Sequence, residues 1–543
     1  MLSLSRGASS RVLSLACSLT LVGVYLAATA PAALAGDFVD TRISFVFSDD
    51  NVLAGPGETF VNSPQADFGP RDGLFFPFEN LNSKDDIDTT AGHFVVYKEM
   101  GGPWDFLVTD AALVGRLQVL SEPETNFAAG DIDLSDAGSY LRARFALGVP
   151  FDFDEKKKLT NDAERQLEMT FFPINSDRFR AGYTYDLSWG GTRIFANRKS
   201  SFATPGMRMR LDWDDFYFLV GAKTTRLLIL DEDPTIVSNR ELGGFWGGIA
   251  GTGYVHDNFG VEVNGGLFEA GRIPKQGLQG ETVWSGGVSA RISAYSEGMK
   301  PEQSIDYRLY RNNAEAFTES NSFLRKPKNY DEFTWRASAE FNALMQTLGD
   351  YDKPRSTTMV NAFAGAVRGD IYIEKLAINV DFVMRQLNAI LFNVPSLDPY
   401  LSLPKDSDET PELLAAIKVE YWLESLNLIP GILFGIQSPA SYRGRTSETP
   451  HAGELAAGVQ TVVVPNANTI IPFPSGGEPS LVYSVRGTLR WDLSDMMSMI
   501  GQITYSRDAN QLGRRRDEAT QTYEYYFRDP NVLGFSFFVQ SRF

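Results

Sequence analysis

Apolar and charged side chains alternate at a period of two in segment after segment of this chain. From Leu481 to Leu493, one parity holds Leu481, Tyr483, Val485, Gly487, Leu489, Trp491 and Leu493. The other holds Ser484, Arg486, Thr488, Arg490 and Asp492. A β-strand sends successive side chains to opposite faces, so such a segment is a strand with one greasy and one charged face. Tyr140–Gly148 repeats the pattern with Arg142 and Arg144 opposite Leu141, Ala143 and Phe145. Gln166–Phe171 places Glu168 opposite Leu167 and Met169, and Met207–Asp214 places Arg208, Arg210, Asp212 and Asp214 opposite Met207, Met209, Leu211 and Trp213. Phe333–Ala343 sets Arg336 and Glu340 against Phe333, Trp335 and Phe341. Arg178–Trp189 sets Arg178, Arg180 and Asp186 against Phe179, Tyr183, Tyr185 and Leu187. Thr41–Ser48 puts Ile43, Phe45 and Phe47 on one face, and Glu420 sits in a weaker strand near 412–424.

Weaker alternation occurs near 216–228, 242–255, 259–269, 282–295, 357–367, 371–383, 430–437 and 497–507. Segments near 93–98, 110–119 and 303–312 are further candidates. Beyond the first residues no stretch is apolar for long enough to make a transmembrane helix. Alternation alone also describes a soluble secreted β-sandwich or propeller. A membrane protein without such helices must be a closed barrel, because only closure satisfies every backbone group in lipid.

Both ends of the chain bear on that choice. Arg6 and Arg11 precede an apolar run from Val12 to Ala28, and Ala33-Leu34-Ala35 follows as a small-residue cleavage site. This reads as a signal peptide over 1–35, with the mature chain starting at Gly36. At the other end Leu533, Phe535, Phe537, Val539, Ser541 and Phe543 share one parity, and Phe543 is the last residue. An alternating last strand closed by an aromatic resembles the C-terminal strand of bacterial outer-membrane β-barrels. That resemblance implies that Phe543 is the assembly signal read by the barrel-assembly machinery. It also implies a location in a Gram-negative outer membrane, in contact with lipid and lipopolysaccharide. The expected fold is therefore all-β: an antiparallel transmembrane barrel of 16 to 20 strands, best counted as 18, spanning 36–543.

Connections complete the expectation. Asp214-Asp215, His256-Asp257-Asn258 and Ser494-Asp495 read as tight turns. Residues 190–205, 229–241, 270–281, 438–480 and 508–532 read as long loops. Short periplasmic turns and long extracellular loops are the outer-membrane arrangement. The region 49–135, rich in Gly, Pro, Asn and Asp, reads as a long loop or constriction, and the up-down parity of the strands fails somewhere in 296–330.

Composition excludes several functions. The formal charge is −18; residues 1–35 carry two arginines and no acid, so the chain after them holds 48 basic and 68 acidic residues, net −20. That is no footprint for nucleic acid. The one cysteine is Cys17, within the signal, so disulfides and thiolate metal sites are absent from the exported chain. His93, His256 and His451 are scattered without metal-ligand spacing, and no G-x-S-x-G element occurs. His256-Asp257, with Asp214-Asp215 nearby in pattern, is read as turn chemistry, not as a protease pair. The acidic clusters Asp131/Asp133/Asp136, Asp49-Asp50-Asn51, Asp85/Asp86/Asp88 and Asp231/Glu232/Asp233 read as solvated loops ahead of calcium sites, since their spacing does not match the EF-hand loop. No enzyme activity, cofactor or metal is expected.

The strand-borne charges are the functional candidates. Ionised groups are costly against lipid, so they must face the barrel interior, where they set the field of a pore. The expected lining is Arg142, Arg144, Glu168, Arg178, Arg180, Asp186, Arg208, Arg210, Asp212, Asp214, Arg336, Glu340, Glu420, Arg486 and Arg490. The resemblance implies a porin-like channel for passive passage of small hydrophilic solutes. The alternatives are a structural barrel with a plugged lumen, docking envelope partners through 49–135 and 438–480, or an export channel specific for an acidic polymer. The acidic loops predict weak cation preference at low salt, and the strand-borne arginines a mixed or locally positive wall.

Overall fold

The computed structural model of the protein describes residues 39–49, 52–53, 89–101, 104–118, 132–133, 139–153, 159–161, 163–173, 180–181, 189–190, 205–228, 242–274, 277–297, 299, 330–392, 400–405, 407–444, 459–464, 469–474, 476–494, 497–516 and 523–542. The signal peptide and cleavage site, Arg178, Asp186, Phe543 and the segment 303–312 lie outside them.

Alternation builds one antiparallel sheet of nineteen strands, of which Ile132–Asp133 is a two-residue flap. The other eighteen follow one another in chain order. They are β1 (Val39–Asp49), β2 (Thr89–Gly101), β3 (Leu107–Gln118), β4 (Tyr140–Ala146), β5 (Arg165–Phe172) and β6 (Gly206–Trp213). Next come β7 (Phe216–Leu228), β8 (Leu242–His256), β9 (Phe259–Arg272), β10 (Thr282–Tyr295), β11 (Tyr330–Gly349) and β12 (Thr357–Glu374). The last six are β13 (Leu376–Arg385), β14 (Glu412–Tyr421), β15 (Leu428–Ser438), β16 (Val482–Ser494), β17 (Met497–Arg507) and β18 (Asn531–Arg542). β18 pairs β17 on one side and β1 on the other, with Phe45 opposite Val539 and Phe47 opposite Phe537. Since β1 also pairs β2, these strands close into a ring.

The ring is inverted in polarity relative to a water-soluble core. Along β16 burial alternates residue by residue: Tyr483, Val485, Leu489 and Trp491 are exposed, while Ser484, Arg486 and Arg490 are buried. Phe218, Val220, Val288, Ile292, Phe341, Val367 and Ile503 are each more than half exposed on the outside. Arginines, acids and amides take the inward parity. Long contiguous apolar surface belongs against lipid, and buried charge belongs where partners satisfy it.

With eighteen strands both described ends of the sheet, Val39 and Arg542, fall at one rim. That rim also carries the two-residue turns at 214–215 and 257–258 and the one-residue turn at 375. The opposite rim carries the connections 173–205, 229–241, 273–281, 350–356, 386–411, 439–481 and 508–530. The up-down parity holds across 296–330, because β10 and β11, which flank that stretch at the rim of the 214–215 turn, are antiparallel neighbours. The further candidates near 93–98 and 110–119 are β2 and β3, so 49–135 is not one loop or constriction.

Two other readings are corrected. Arg178–Trp189 is not one wall strand. Ala181 pairs Trp189 and Arg180 pairs Gly190, so the chain doubles back within it as a small hairpin off the ring. Alternation marks a two-sided strand and does not say which sheet it joins. The strands expected at 357–367 and 371–383 are displaced as well. β12 runs through Gly369 and Asp370 to Glu374, which adopts φ 49° at the turn. Residues 368–370 fell between the two expected strands, but Asp370 is a buried inward residue with a structural partner.

Toward the loop rim, chain packs against the inner wall. After β13 a short helix, α1 (Leu387–Leu391), folds against β12. The inward side chains there are small: Ala362, Ala364 and Ala366, which cluster with Leu348, Val383, Ala389, Phe392 and Leu414. The other side of the helix, Leu387 and Ile390, packs on Ala440, Tyr442 and Val463. Those three belong to or flank a four-stranded sheet of Asp408–Thr410, Ser441–Arg443, Gln460–Val464 and Thr469–Pro472. Its Val462 and Ile471 pack in turn on Leu512 of a hairpin formed by Leu512–Arg516 and Tyr523–Phe527. The expected loop 438–480 is thus partly a folded layer.

Glycine is required where inward aromatics lie flat across a neighbouring strand. A Cβ on Gly247 would sit 2.0 Å from the ring of Phe268, which is fully buried opposite it in register. Replacing Gly247 by valine should destabilise the barrel by about 1–3 kcal/mol, as overpacking of a filled site does. Adding Phe268→Ala should recover part of that loss. Urea unfolding of the refolded barrel in detergent micelles measures both, and additive losses would reject the steric account.

Candidate functional site

The inner face of β2 to β6 carries a chain of alternating acids and arginines. Arg144 Nη2 donates to Glu99 Oε2 at 2.7 Å, and its Nε lies 3.4 Å from Asp110. Arg142 Nε donates to Asp110 at 3.0 Å, and its Nη1 donates to Glu168 Oε2 at 3.2 Å. Arg208 Nη2 donates to Glu168 Oε1 at 2.7 Å, and the Thr170 hydroxyl donates to the same oxygen at 3.0 Å. Register puts these groups side by side: Asp110 faces Arg142, Arg144 faces Glu168, and Glu168 faces Arg210 across adjacent strands. Opposite charges on directly opposed strand positions are the favourable cross-strand pairing.

Charge pairing continues around the ring. Tyr217 donates its hydroxyl to Glu262 at 2.9 Å, and Arg291 Nη1 donates to the other oxygen of Glu262 at 3.4 Å. Arg336 makes two bonds to Asp370 Oδ2, at 2.7 and 2.9 Å, and Arg368 lies 3.3 Å from Asp381. Arg385 Nε donates to Glu412 at 2.8 Å, and Gln437 donates to the second oxygen of Glu412 at 3.1 Å. Lys418 lies 2.9 Å from Glu420, and Arg490 binds Asp492 with both Nε and Nη2. Lys223, Glu340 and Arg486 are buried on the same face and also have partners.

Placement of the expected residues can now be stated. Arg142, Arg144, Glu168, Arg208, Arg336, Glu340, Glu420, Arg486 and Arg490 are buried on the inward parity. Arg210 and Asp212 are half-buried and bonded to one another at 2.7 Å. Asp214 is a correction: it is no wall residue. It occupies the Trp213–Phe216 turn with φ 56° and is exposed, bonded by Arg165 at 2.8 and 2.9 Å. Asp continues the parity of Asp212 in sequence, yet the chain reverses there. Its hydrogen bonds from the Arg165 guanidinium hold the Asp214 carboxyl below the usual carboxylate range. Arg178, Asp186 and the side chain of Arg180 lie outside the described residues, as does Phe543. On the outer parity Leu141, Phe333 and Leu489 are exposed and Leu211 is half-buried.

Sequence reading passed over Glu99, Asp110, Lys223, Arg291, Arg368, Asp370, Asp381, Arg385, Glu412 and Lys418. Glu99 and Asp110 lay at the ends of the two candidate segments, 93–98 and 110–119, within a region otherwise read as loop. Arg368 and Asp370 fell in the gap between two expected strands, and Arg385 lay just past an expected strand end. Their signal was parity: each continues the inward register of its strand. His256 Nδ1 lies 3.2 Å from Asp215, both half-exposed in adjacent turns. Among the described residues no group of three His, Cys, Asp or Glu is placed to hold a metal.

No protein-family model matches this chain, and no curated protein matches it. Solved structures match it over most of its length at low identity. The outer membrane protein OpdK of Pseudomonas aeruginosa matches at 9% identity, covering 93% of this chain and 98% of that one, with a TM-score of 0.41. OccAB3 of Acinetobacter baumannii matches at 8% identity over 93% and 98%, TM-score 0.43. OccK3 (OpdO) of P. aeruginosa matches at 8% identity over 93% and 94%, TM-score 0.40. The wall itself, antiparallel, closed and apolar outside, is that of an outer-membrane-type β-barrel.

Glu168 is the acid on which two arginines converge. Glu168→Ala should take one acid from each, leaving Arg142 still bonded to Asp110, and cost about 3–5 kcal/mol, the usual cost of breaking a buried pair from one side. Asp214→Asn, at the exposed turn pair, should leave stability unchanged within error. The temperature at which each variant loses its fast-migrating folded band on detergent gels discriminates them; equal shifts would reject the difference in burial.

Proposed function

We propose that the protein is an outer-membrane channel for passive passage of small hydrophilic solutes. One observation carries the reading: the strand ring turns its apolar parity outward and its charged parity inward. Only a surrounding hydrocarbon phase favours the first, and a ring of eighteen strands is wide enough for water to favour the second. Export through a cleaved signal, assembly through Phe543 and contact with lipopolysaccharide belong to the same proposal.

The folded layers at the loop rim favour a second reading, a barrel whose lumen is plugged and whose mouth docks an envelope partner. Helix α1, the four-stranded sheet and the 512–527 hairpin stack from the inner wall inward. In the channel reading the same stack narrows the passage and sets its cut-off.

Single-channel recording of the refolded protein in planar bilayers separates the two. Discrete KCl conductance steps are expected; silence would transfer the assignment to the plugged barrel. The acidic surplus should give weak cation preference in dilute salt that fades as salt rises. Screening shortens from about 30 Å at 0.01 M to about 8 Å at physiological strength. Reversal potentials across a salt gradient measure this. Outside the wall, Val367→Arg at the exposed middle of β12 should cost about 2–4 kcal/mol, the cost of arginine at a lipid midplane. No cost would contradict a lipid-facing outer surface.

A further inference from the structure

One short segment after helix α1, Tyr400–Ser402, is docked on the wall from the lumen side. Gly349, the last residue of β11, donates its amide to the Tyr400 carbonyl at 2.8 Å. Ser402 donates its amide back to the Gly349 carbonyl at 2.9 Å, so Leu401 and Gly349 form a parallel bridge. The Tyr400 side chain packs on two apolar clusters, one holding Ala270 and Val283 and the other Leu348. These three are buried on the inward parity of β9, β10 and β11, at the ends nearest the loop rim. The segment is therefore a strap laid across three strands from inside.

Both sides of the contact have special backbone. Tyr400 adopts φ 62°. A bulky residue is seldom found in the left-handed region, and one held there stores strain that surrounding contacts must offset. Opposite it, β9 carries a bulge between Glu269 and Gly271, and Gly271 has φ 151°. A Cβ there would sit 2.2 Å from the Tyr400 hydroxyl oxygen, so glycine leaves a notch in the wall. The hydroxyl seats in that notch and donates to the Ala270 carbonyl at 2.8 Å, across 130 residues of chain. Strain in the strap favours release; the hydroxyl bond, the bridge to Gly349 and the ring packing oppose it. Opposed terms of this kind make a bistable contact, which is where strained residues concentrate.

We propose that Tyr400 is the latch of a gating strap. With the phenol in the Gly271 notch, the strap lies on the wall and the passage conducts. With the phenol out of it, the strap, already on the lumen side of β9 to β11, moves into the lumen and interrupts the current. The inference rests on the channel reading. Tyr400 is a positioning residue in this scheme: it governs passage through the strap and touches no solute.

Single-channel KCl recording of the refolded 36–543 chain in planar bilayers reads closures directly. Tyr400→Phe keeps the ring and removes its hydrogen bond. It should raise the ratio of closed to open time by about threefold to tenfold, the weight of one neutral hydrogen bond, with the open-step amplitude unchanged. Gly349→Cys combined with Leu401→Cys makes the converse variant. Bridged residues on neighbouring strands lie about 5 Å apart, within disulfide reach, and the 36–543 chain has no cysteine of its own. Oxidised, this variant should stay open, and dithiothreitol should restore the parental closures. The heat-shifted gel band verifies that each variant is folded. KCl steps whose closures respond neither to Tyr400→Phe nor to the disulfide, or to only one of them, overturn the latch and leave the channel standing. Steps that never close in parent and variant alike do the same. A Tyr400→Phe barrel that unfolds at lower temperature but gates as the parent does assigns the tyrosine to stability alone and also overturns it. Absence of any KCl step overturns the channel reading, and the latch with it.

Discussion

Everything in this molecule depends on the pairing of its first and last strands. Hydrocarbon offers no hydrogen-bond partner, so an open sheet edge inside it would leave a row of peptide groups unsatisfied. The eight-residue register of β1 against β18, from Arg42–Arg542 to Asp49–Phe535, removes both edges at once. Closure then fixes the rest. With no edge left, each strand has one face toward the surroundings and one toward the lumen, and the two-residue period decides which residues go where. A one-residue slip in any strand would put its arginines against lipid, which is why long alternating strands such as β16 specify their register so strongly.

Closure also creates the problem that the ion pairs solve. Inward charges withdrawn from bulk water carry a desolvation cost that Coulomb attraction offsets only with good geometry and further hydrogen bonds. The run from Glu99 through Arg144, Asp110, Arg142 and Glu168 to Arg208 meets that condition by sharing each acid among neighbours. Because the run crosses β2 to β6, it ties strands laterally in addition to their backbone ladders. Pairing also makes the wall nearly self-neutralising, so the acidic surplus of the chain resides at other positions. The expected mixed or locally positive wall counted charges strand by strand, and register adds which acid stands beside which arginine.

How legible was this from the sequence? The architecture was, since parity within one strand needs no partner to be visible: Leu141 against Arg142 and Leu489 against Arg490 already assign two faces. The identity of the pairs was not, because Arg142 meets Asp110 across 32 residues of chain and Arg144 meets Glu99 across 45. Boundaries failed where a strand ran past its expected end. Gly369-Asp370 carries turn residues yet lies mid-strand, whereas the true reversal at Glu374-Lys375 has no glycine or proline to mark it. Trp189 shows the opposite failure, a clean alternation that folds back on Ala181 instead of crossing the wall.

The inner face is not uniform, and β12 shows why. Its inward residues run Asp370, Arg368, Ala366, Ala364, Ala362 from one rim to the other. Charges need lateral partners and water nearby; alanines leave room for something to pack on them. The same parity therefore yields a polar wall toward the short-turn rim and a seat for helix α1 toward the loop rim. Asn342 and Gln346 lie on the neighbouring strand at the height where one regime gives way to the other, opposite Ala364 and Val360. A purely apolar wall at that height would bury the helix contacts further, and a charged one would need acids that β12 does not supply there. Neutral amides, which carry no charge and offer both a donor and an acceptor, are compatible with both neighbours.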